Sequence, residues 1–358
     1  MSELLDISYY APTFEIDING SPLGADVIKY ISSVTVTKNM GQADSFSFEV
    51  YDDMQGGQFK WLGNAKFKYG NPVKIRLGYV GNLTHSMSGH IQEITPKFFT
   101  GTMPSFTVAG SDKMFAVLSE NSGYMTYTKK KDSEIVSAIA QEVGLSAKVD
   151  TTLGEASEKK EKKGGSSYLL FIKNLAADNT GFEFSVSNGA LFFKKVDYTK
   201  SADITLTWGK HLLSFTPSLN IANLVTDVVV KWWDQKASVA IEGKASAGSE
   251  TVQESGKKLA GKIAQDIFGS KMKTITDQKV DSKSDADAKA RAILNDYNKE
   301  FITGKGKTVG IPTLTPGVFV SLEGLGDWFS GKYYIYKTEH TISSEGYRTT
   351  FNGRRNAL

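Results

Sequence analysis

Over residues 1–118 hydrophobic and polar positions alternate in short runs. Phe14-Glu15-Ile16-Asp17-Ile18 is one, and the turn dipeptide Asn19-Gly20 follows it. Val34-Thr35-Val36-Thr37, Phe46-Ser47-Phe48-Glu49-Val50, Val73-Lys74-Ile75-Arg76-Leu77 and Phe106-Thr107-Val108 repeat the pattern. A period of two buries one face of a strand and leaves the other in water. Several such strands with glycine-containing turns predict a first antiparallel β-barrel over residues 1–118.

The period then changes. After Asp132, a candidate N-cap, Ile135, Val136, Ile139 and Val143 share one helical face, and Gly144 ends the run. A second helix is predicted from Ser166 or Ser167, with Tyr168, Phe171, Ile172 and Leu175 inward. Phe182 to Val186 and Leu191 to Lys195 read as a hairpin about Asn188-Gly189. Residues 119–203 are therefore expected to form a small α/β domain. Within it, residues 155–165 contain no apolar side chain larger than alanine and read as an exposed, mobile loop of solvated lysines.

Strand character returns at Ile204 to Trp208 and at Val225 to Trp233. Helices are expected over Lys257 to Phe268 and from Ser284, with Asp287 completing a capping box, to Phe301. Strands resume from Gly317 to Phe351, with Gly304-Lys305-Gly306 as a flexible return. This order predicts a second β-barrel from residues 204–244 and 305–358, interrupted by a helical insertion at 245–304. Trp232 or Trp233 is then expected to be buried against Tyr334-Ile335-Tyr336. The fold class predicted is mainly β with α+β parts: two antiparallel β-barrels per subunit, a small α/β domain and a helical insertion.

Composition narrows the function. The 358 residues carry a net charge of only +3, which argues against specific nucleic-acid binding. No cysteine is present, which excludes disulfides and thiolate metal sites. Met1 to Tyr10 lacks the basic start and apolar run of a signal peptide. No apolar stretch reaches the roughly 18 residues that would span a membrane.

Catalytic patterns are sparse. His85 and His90 are five apart, which in a regular strand puts them on opposite faces; His211 and His340 stand alone. Asp52-Asp53 reads as a turn at a strand end. Gly304-Lys305-Gly306-Lys307 follows a helix rather than opening one, so it is not a phosphate cradle. Gly324-Leu325-Gly326 reads as a hairpin turn needing positive φ. Adjacent strand residues point to opposite faces, so Trp232 and Trp233 are expected to divide between a core and an interface. No catalytic, cofactor-binding or metal-ligating residue is predicted.

In the last third, Gly310-Ile311-Pro312, Pro316-Gly317, Gly324-Leu325-Gly326, Ser330-Gly331-Lys332-Tyr333-Tyr334, Glu339-His340 and Gly346-Tyr347-Arg348-Thr349 together resemble the phage late control protein D family. This family is similar to the N-terminal hub part of valine-glycine repeat spike proteins of type VI secretion. Leu212-Leu213-Ser214-Phe215, Val228 to Asp234, Asp132-Ser133-Glu134-Ile135 with Gly144-Leu145, and the Ser284 to Phe301 helix extend the resemblance over most of the chain. It implies a non-enzymatic baseplate hub of a phage tail or contractile injection system. Such a hub is a homotrimer whose six barrels match a sixfold tail tube to a threefold spike around the exit channel. The implied partners are the spike, the tail tube or tube-initiator protein and other baseplate proteins. The subunit would be made in the cytoplasm and built into a particle. Because the chain stops at Leu358, the spike is expected to be a separate polypeptide. Rival readings are a carbohydrate-binding tail protein using Trp232, Trp233 and surface tyrosines, and a wall hydrolase, which would need a clustered carboxylate pair.

Overall fold

The computed structural model describes residues 11–152, 156–234 and 238–358. The first alternating segment becomes β1 (Pro12–Ile18), β2 (Ser21–Pro22), a short helix α1 (Ala25–Ile28), β3 (Ile31–Asn39), β4 (Ser45–Tyr51), the small hairpin β5 (Met54–Gln55) and β6 (Gln58–Phe59), β7 (Pro72–Tyr79), β8 (Asn82–Lys97) and β9 (Ser105–Ser111). Asn19 and Gly20 both have positive φ, as a tight two-residue hairpin requires. Inward residues such as Val34, Val36, Phe46, Phe48, Ile75 and Val108 form one core.

The middle unit holds α2 (Lys113–Ser119), β10 (Met125–Lys130), α3 (Asp132–Glu142), β11 (Ser146–Val149), β12 (Ser157–Lys162), α4 (Tyr168–Asp178), β13 (Phe182–Ser187) and β14 (Ala190–Lys195). Ile135, Val136, Ile139, Phe171, Ile172 and Phe193 make its own core. Ser167 caps α4 by accepting from the Leu170 N–H at 3.2 Å. The expected mobile loop at 155–165 is not found. Residue 155 lies outside the described residues, and Ser157–Lys162 pairs along β10. Backbone pairing needs no apolar side chain, and Lys162 is itself buried. Its Nζ donates to the Ser166 carbonyl at 2.8 Å and lies 5.3 Å from the centre of the Tyr168 ring, so its methylene stem packs inward.

The remaining elements are β15 (Ile204–Thr207), β16 (Leu212–Leu219), β17 (Asp227–Asp234), β18 (Val239–Ser246), α5 (Ala260–Phe268), β19 (Met272–Ile275), α6 (Lys283–Asn298), β20 (Ile302–Val309), β21 (Phe319–Glu323), α7 (Gly326–Phe329), β22 (Gly331–Ser343) and β23 (Gly346–Arg355). The class is mainly β with α+β parts, as the sequence predicts. The two barrels, however, are joined. One 13-stranded sheet runs β16-β20-β23-β22-β3-β4-β9-β8-β7-β1-β2, with β21 and β15 branching from β22, and it does not close. A second core, including Leu206, Leu212, Ile302, Tyr333 and Phe351, fills the C-terminal half.

Two boundaries differ from the sequence reading. Gly304 and Gly306 lie inside β20 rather than in a flexible return. A Cβ on Gly304 would meet the Phe215 ring at 2.2 Å, and one on Gly306 would meet the Phe351 ring at 2.3 Å, so both glycines make room for aromatic rings. The inserted segment also starts earlier. β17 pairs with β18 and β19 in a separate three-stranded sheet covered by α6, not with the C-terminal strands. Trp232 packs into that small core and Trp233 is exposed, so neither lies against Tyr334-Ile335-Tyr336 as expected. Alternation alone identifies a strand without naming its sheet. The neck of the insertion is clasped by Asn298, which donates to the Val225 carbonyl at 3.0 Å and accepts from the Val225 N–H at 3.1 Å.

Candidate functional site

The two halves of the large sheet meet where β22 lies against β3, with His340 opposite Val36 and Ile342 opposite Val34. β22 is long enough to serve both halves: Gly331 to Tyr334 pair with β21, and Lys337 to Ile342 pair with β3. A bulge between Ile335 and Lys337 re-aims the strand at the change of partner.

Beneath this junction sits a buried polar group. His340 Nε2 lies 3.0 Å from the Leu314 carbonyl, which fixes a proton on that nitrogen. Nδ1 then accepts, from the Tyr347 hydroxyl at 2.9 Å, with the Thr349 hydroxyl at 3.1 Å. Thr349 Oγ1 accepts from the Ile311 N–H at 3.0 Å. Burial pushes the His340 pKa down to about 4, with the nearby Lys38 charge adding to the effect. Tyr79 reaches over from β7 to donate to the Gly310 carbonyl at 2.8 Å. A Cβ on Gly310 would lie 2.0 Å from the Tyr347 ring, so this close approach needs glycine. The cluster is a neutral histidine tying four chain segments together.

A second buried group fastens the middle unit to the sheet. The Arg354 guanidinium pairs with Glu183 of β13 and lies 5.3 Å from the centre of the Tyr334 ring and 5.5 Å from that of Tyr336. Tyr334 donates to the other Glu183 oxygen at 2.6 Å. Burial works against the Arg354 charge, but Glu183 together with Tyr198, Tyr334 and Glu300 outweighs it and holds the group firmly protonated. Arg355 is also buried and donates to the Ser330 and Trp328 carbonyls at 2.7 and 3.1 Å. Sequence reading missed both arginines. The available signal was a pair of charges where the inward alternation of β23 should have ended in apolar residues.

The other sequence candidates resolve into structural roles or stand apart. Asp52 is buried and accepts from the backbone N–H groups of Lys60, Trp61 and Leu62, the last at 2.6 Å, so it organises a loop. A bulge between Ile75 and Arg76, opposite Met87 and His85, cancels the odd spacing of His85 and His90 and puts both on one face. His85 Nε2 contacts Asn188 Oδ1 at 2.6 Å, and His90 does not join it in any cluster. Gly324 and Gly326 both take positive φ, and a single helical turn lies between them and β22. Among the described residues no three His, Asp or Glu side chains converge as metal ligands, and no helix is long and apolar enough to cross a membrane.

What the surface does offer is edge and apolar area. Among the described residues, β1 with β2 at one end of the sheet and β16 at the other have a side on which no named strand pairs. The β8–β9 tip carries Phe98, Phe99 and Met103, each more than half exposed, with the Phe59 ring tilted against Phe98 at 5.6 Å between centres. Trp208 and Trp328 are 60% and 63% exposed near the end of β21. Exposed aromatic residues at a rigid edge are the usual anchors of protein interfaces.

The same fold occurs in solved structures. The 43 kDa tail protein of prophage MuSo2 from Shewanella oneidensis aligns with a TM-score of 0.73 at 12% identity, over 96% of this chain and 98% of that one. A tail protein from Neisseria meningitidis aligns at 0.70 and 13%, over 97% of both chains. A component of the type VI secretion system from E. coli aligns at 0.54 and 12%, over 96% of this chain and 77% of that one. The chain thus has the fold of phage tail and baseplate hub proteins. No curated protein matches the sequence. The model of one protein family, the Alg8 N-terminal domain, matches residues 9–344, and the chain belongs to that family.

Proposed function

We propose that this protein is a structural hub subunit in the baseplate of a phage tail or contractile injection system. The observation that carries the reading is the end-to-end likeness to tail proteins, over an open sheet with two differently filled halves. Three copies would present six half-sheets, which suits a sixfold tube on one side and a threefold spike on the other. The free edges at β1 and β16 are where neighbouring copies would continue the sheet, since an unpaired edge templates another strand. The exposed aromatics at the β8–β9 tip and at Trp208 and Trp328 suit contacts with tube, spike or other baseplate proteins. The role is non-enzymatic, and the subunit is made in the cytoplasm before assembly into the particle. Light scattering on the purified chain, alone and with its tube and spike proteins, tests this. A trimer is expected, and a chain that stays monomeric with both partners present overturns the reading.

A further inference from the structure

The middle unit has an open strand edge that the hub role does not use. β11 pairs in parallel with β14 on one side only, and among the described residues no strand occupies its other side. The ladder sets which groups are left over. Ser146 N–H donates to the Gly189 carbonyl at 3.0 Å and Asp150 N–H to the Phe193 carbonyl at 2.9 Å. The even residues therefore bond toward β14, and by alternation Ala147 and Val149 direct their N–H and C=O groups to the open side.

A groove of about 350 Å³ lies at that edge, between β11 and α3. Val149 and Thr151 line one wall, Ser133, Glu134, Ser137, Ala138 and Gln141 of α3 line another, and Lys130 completes the lining. The α3 side chains facing it are short or polar, so they leave room for side chains of an added strand. On the opposite face of β11, Lys148 is exposed. Glu134 is occupied in accepting the Lys131 N–H at 2.7 Å. Lys160 and Lys194 are paired with aspartates, whereas Lys130 and Lys148 have no ion pair among the described residues.

We infer that β11 and its groove take an extended acidic segment of a partner protein as a fourth strand of this sheet. Main-chain bonds to Ala147 and Val149 would give the affinity. Alternation would place small or apolar side chains toward α3 and acidic ones beside Lys148. Chemistry of this kind selects a flexible acidic tail or linker rather than a folded surface.

The probe is a fluorescent Glu-Val-Glu-Val-Glu-Val peptide, titrated into the intact chain by anisotropy at low salt. Saturable binding is expected, with Ala147 and Val149 gaining amide exchange protection. The same peptide N-methylated at the residues that face β11 should bind at least about tenfold more weakly, because it cannot donate to the edge. Lys148→Glu should weaken binding of the unmodified peptide by a similar factor, and Ala147→Pro should abolish it. Should Ala147→Pro fold poorly, the N-methylated peptide carries the same test on the unaltered protein. No saturable binding overturns the proposal. So does equal binding of the two peptides, or full competition by a single-stranded oligonucleotide, since either would reduce the interaction to charge alone.

Discussion

His340 makes the stability of the junction depend on pH in a calculable way. Its folded pKa is about 4 against an ordinary value of 6.5. The folded state therefore refuses a proton that the unfolded chain accepts. Its contribution is complete above pH 6.5, and it is lost as pH falls from 6.5 toward 4. Each unit of pKa difference corresponds to about 1.4 kcal/mol, so the loss is about 2 kcal/mol by pH 5 and about 3 kcal/mol by pH 4. Other groups titrate nearby. Burial raises Asp44 to about 7, and its effect has the opposite sign, since protonation relieves a buried charge. The His340→Gln variant separates the two: it cannot titrate, yet its amide can still donate to Leu314 and accept from Tyr347. Urea unfolding of both proteins at pH 7 and pH 5 should show the native chain losing about 2 kcal/mol more than the variant. An imidazole NMR signal from His340 that titrates near pH 6.5, or identical pH dependence in the two proteins, would refute the argument.

Arg354→Met leaves the buried Glu183 charge with only the Tyr334 hydroxyl and should cost about 3–5 kcal/mol in urea unfolding, with Glu183→Leu in the same chain recovering part of it. Gly243→Ala would place a Cβ 2.2 Å from the main-chain carbonyl carbon of Ala286, so α6 must lift from β18; a loss of about 1–3 kcal/mol and faster amide exchange in α6 are expected. Deleting Ala156 to Lys163 removes the β12 strand that pairs with β10 and the buried Lys162, so soluble yield should fall sharply, whereas an exposed loop would tolerate the cut.

Strand and helix periods were readable because burial imposes them locally. Phe46-Ser47-Phe48 and Ile135-Val136-Ile139 fall on the faces their spacing predicts. Pairing partners were not readable. Val228 to Trp233 is mostly β-branched and aromatic residues and reads as a strand in any sheet, yet its sheet is chosen by α6 and by Asn298 at the neck, 73 positions away from Val225. Bulges were equally invisible, and the one at β8 reversed the facing of His85 against His90. Ser157–Lys162 escaped because its strand is held by backbone bonds and a lysine stem. The Glu183–Arg354 link escaped because its partners are 171 residues apart.

The pairing of β22 with β3 also sets a timetable. Thr35 and Thr341, whose hydroxyls lie 3.1 Å apart, are separated by 306 positions, and Ile342 and Tyr347 belong to the N-terminal core. During synthesis at roughly 5–20 residues per second, that core must wait tens of seconds for its last side chains. Throughout this interval β3 presents an unpaired edge. Such late, long-range closure makes folding slow and exposes the nascent chain to association before it is complete. The middle unit, whose core side chains all come from residues 115–193, can mature in the meantime. A chain stalled before residue 331 would therefore display one finished unit beside an edge ready to pair with the wrong partner.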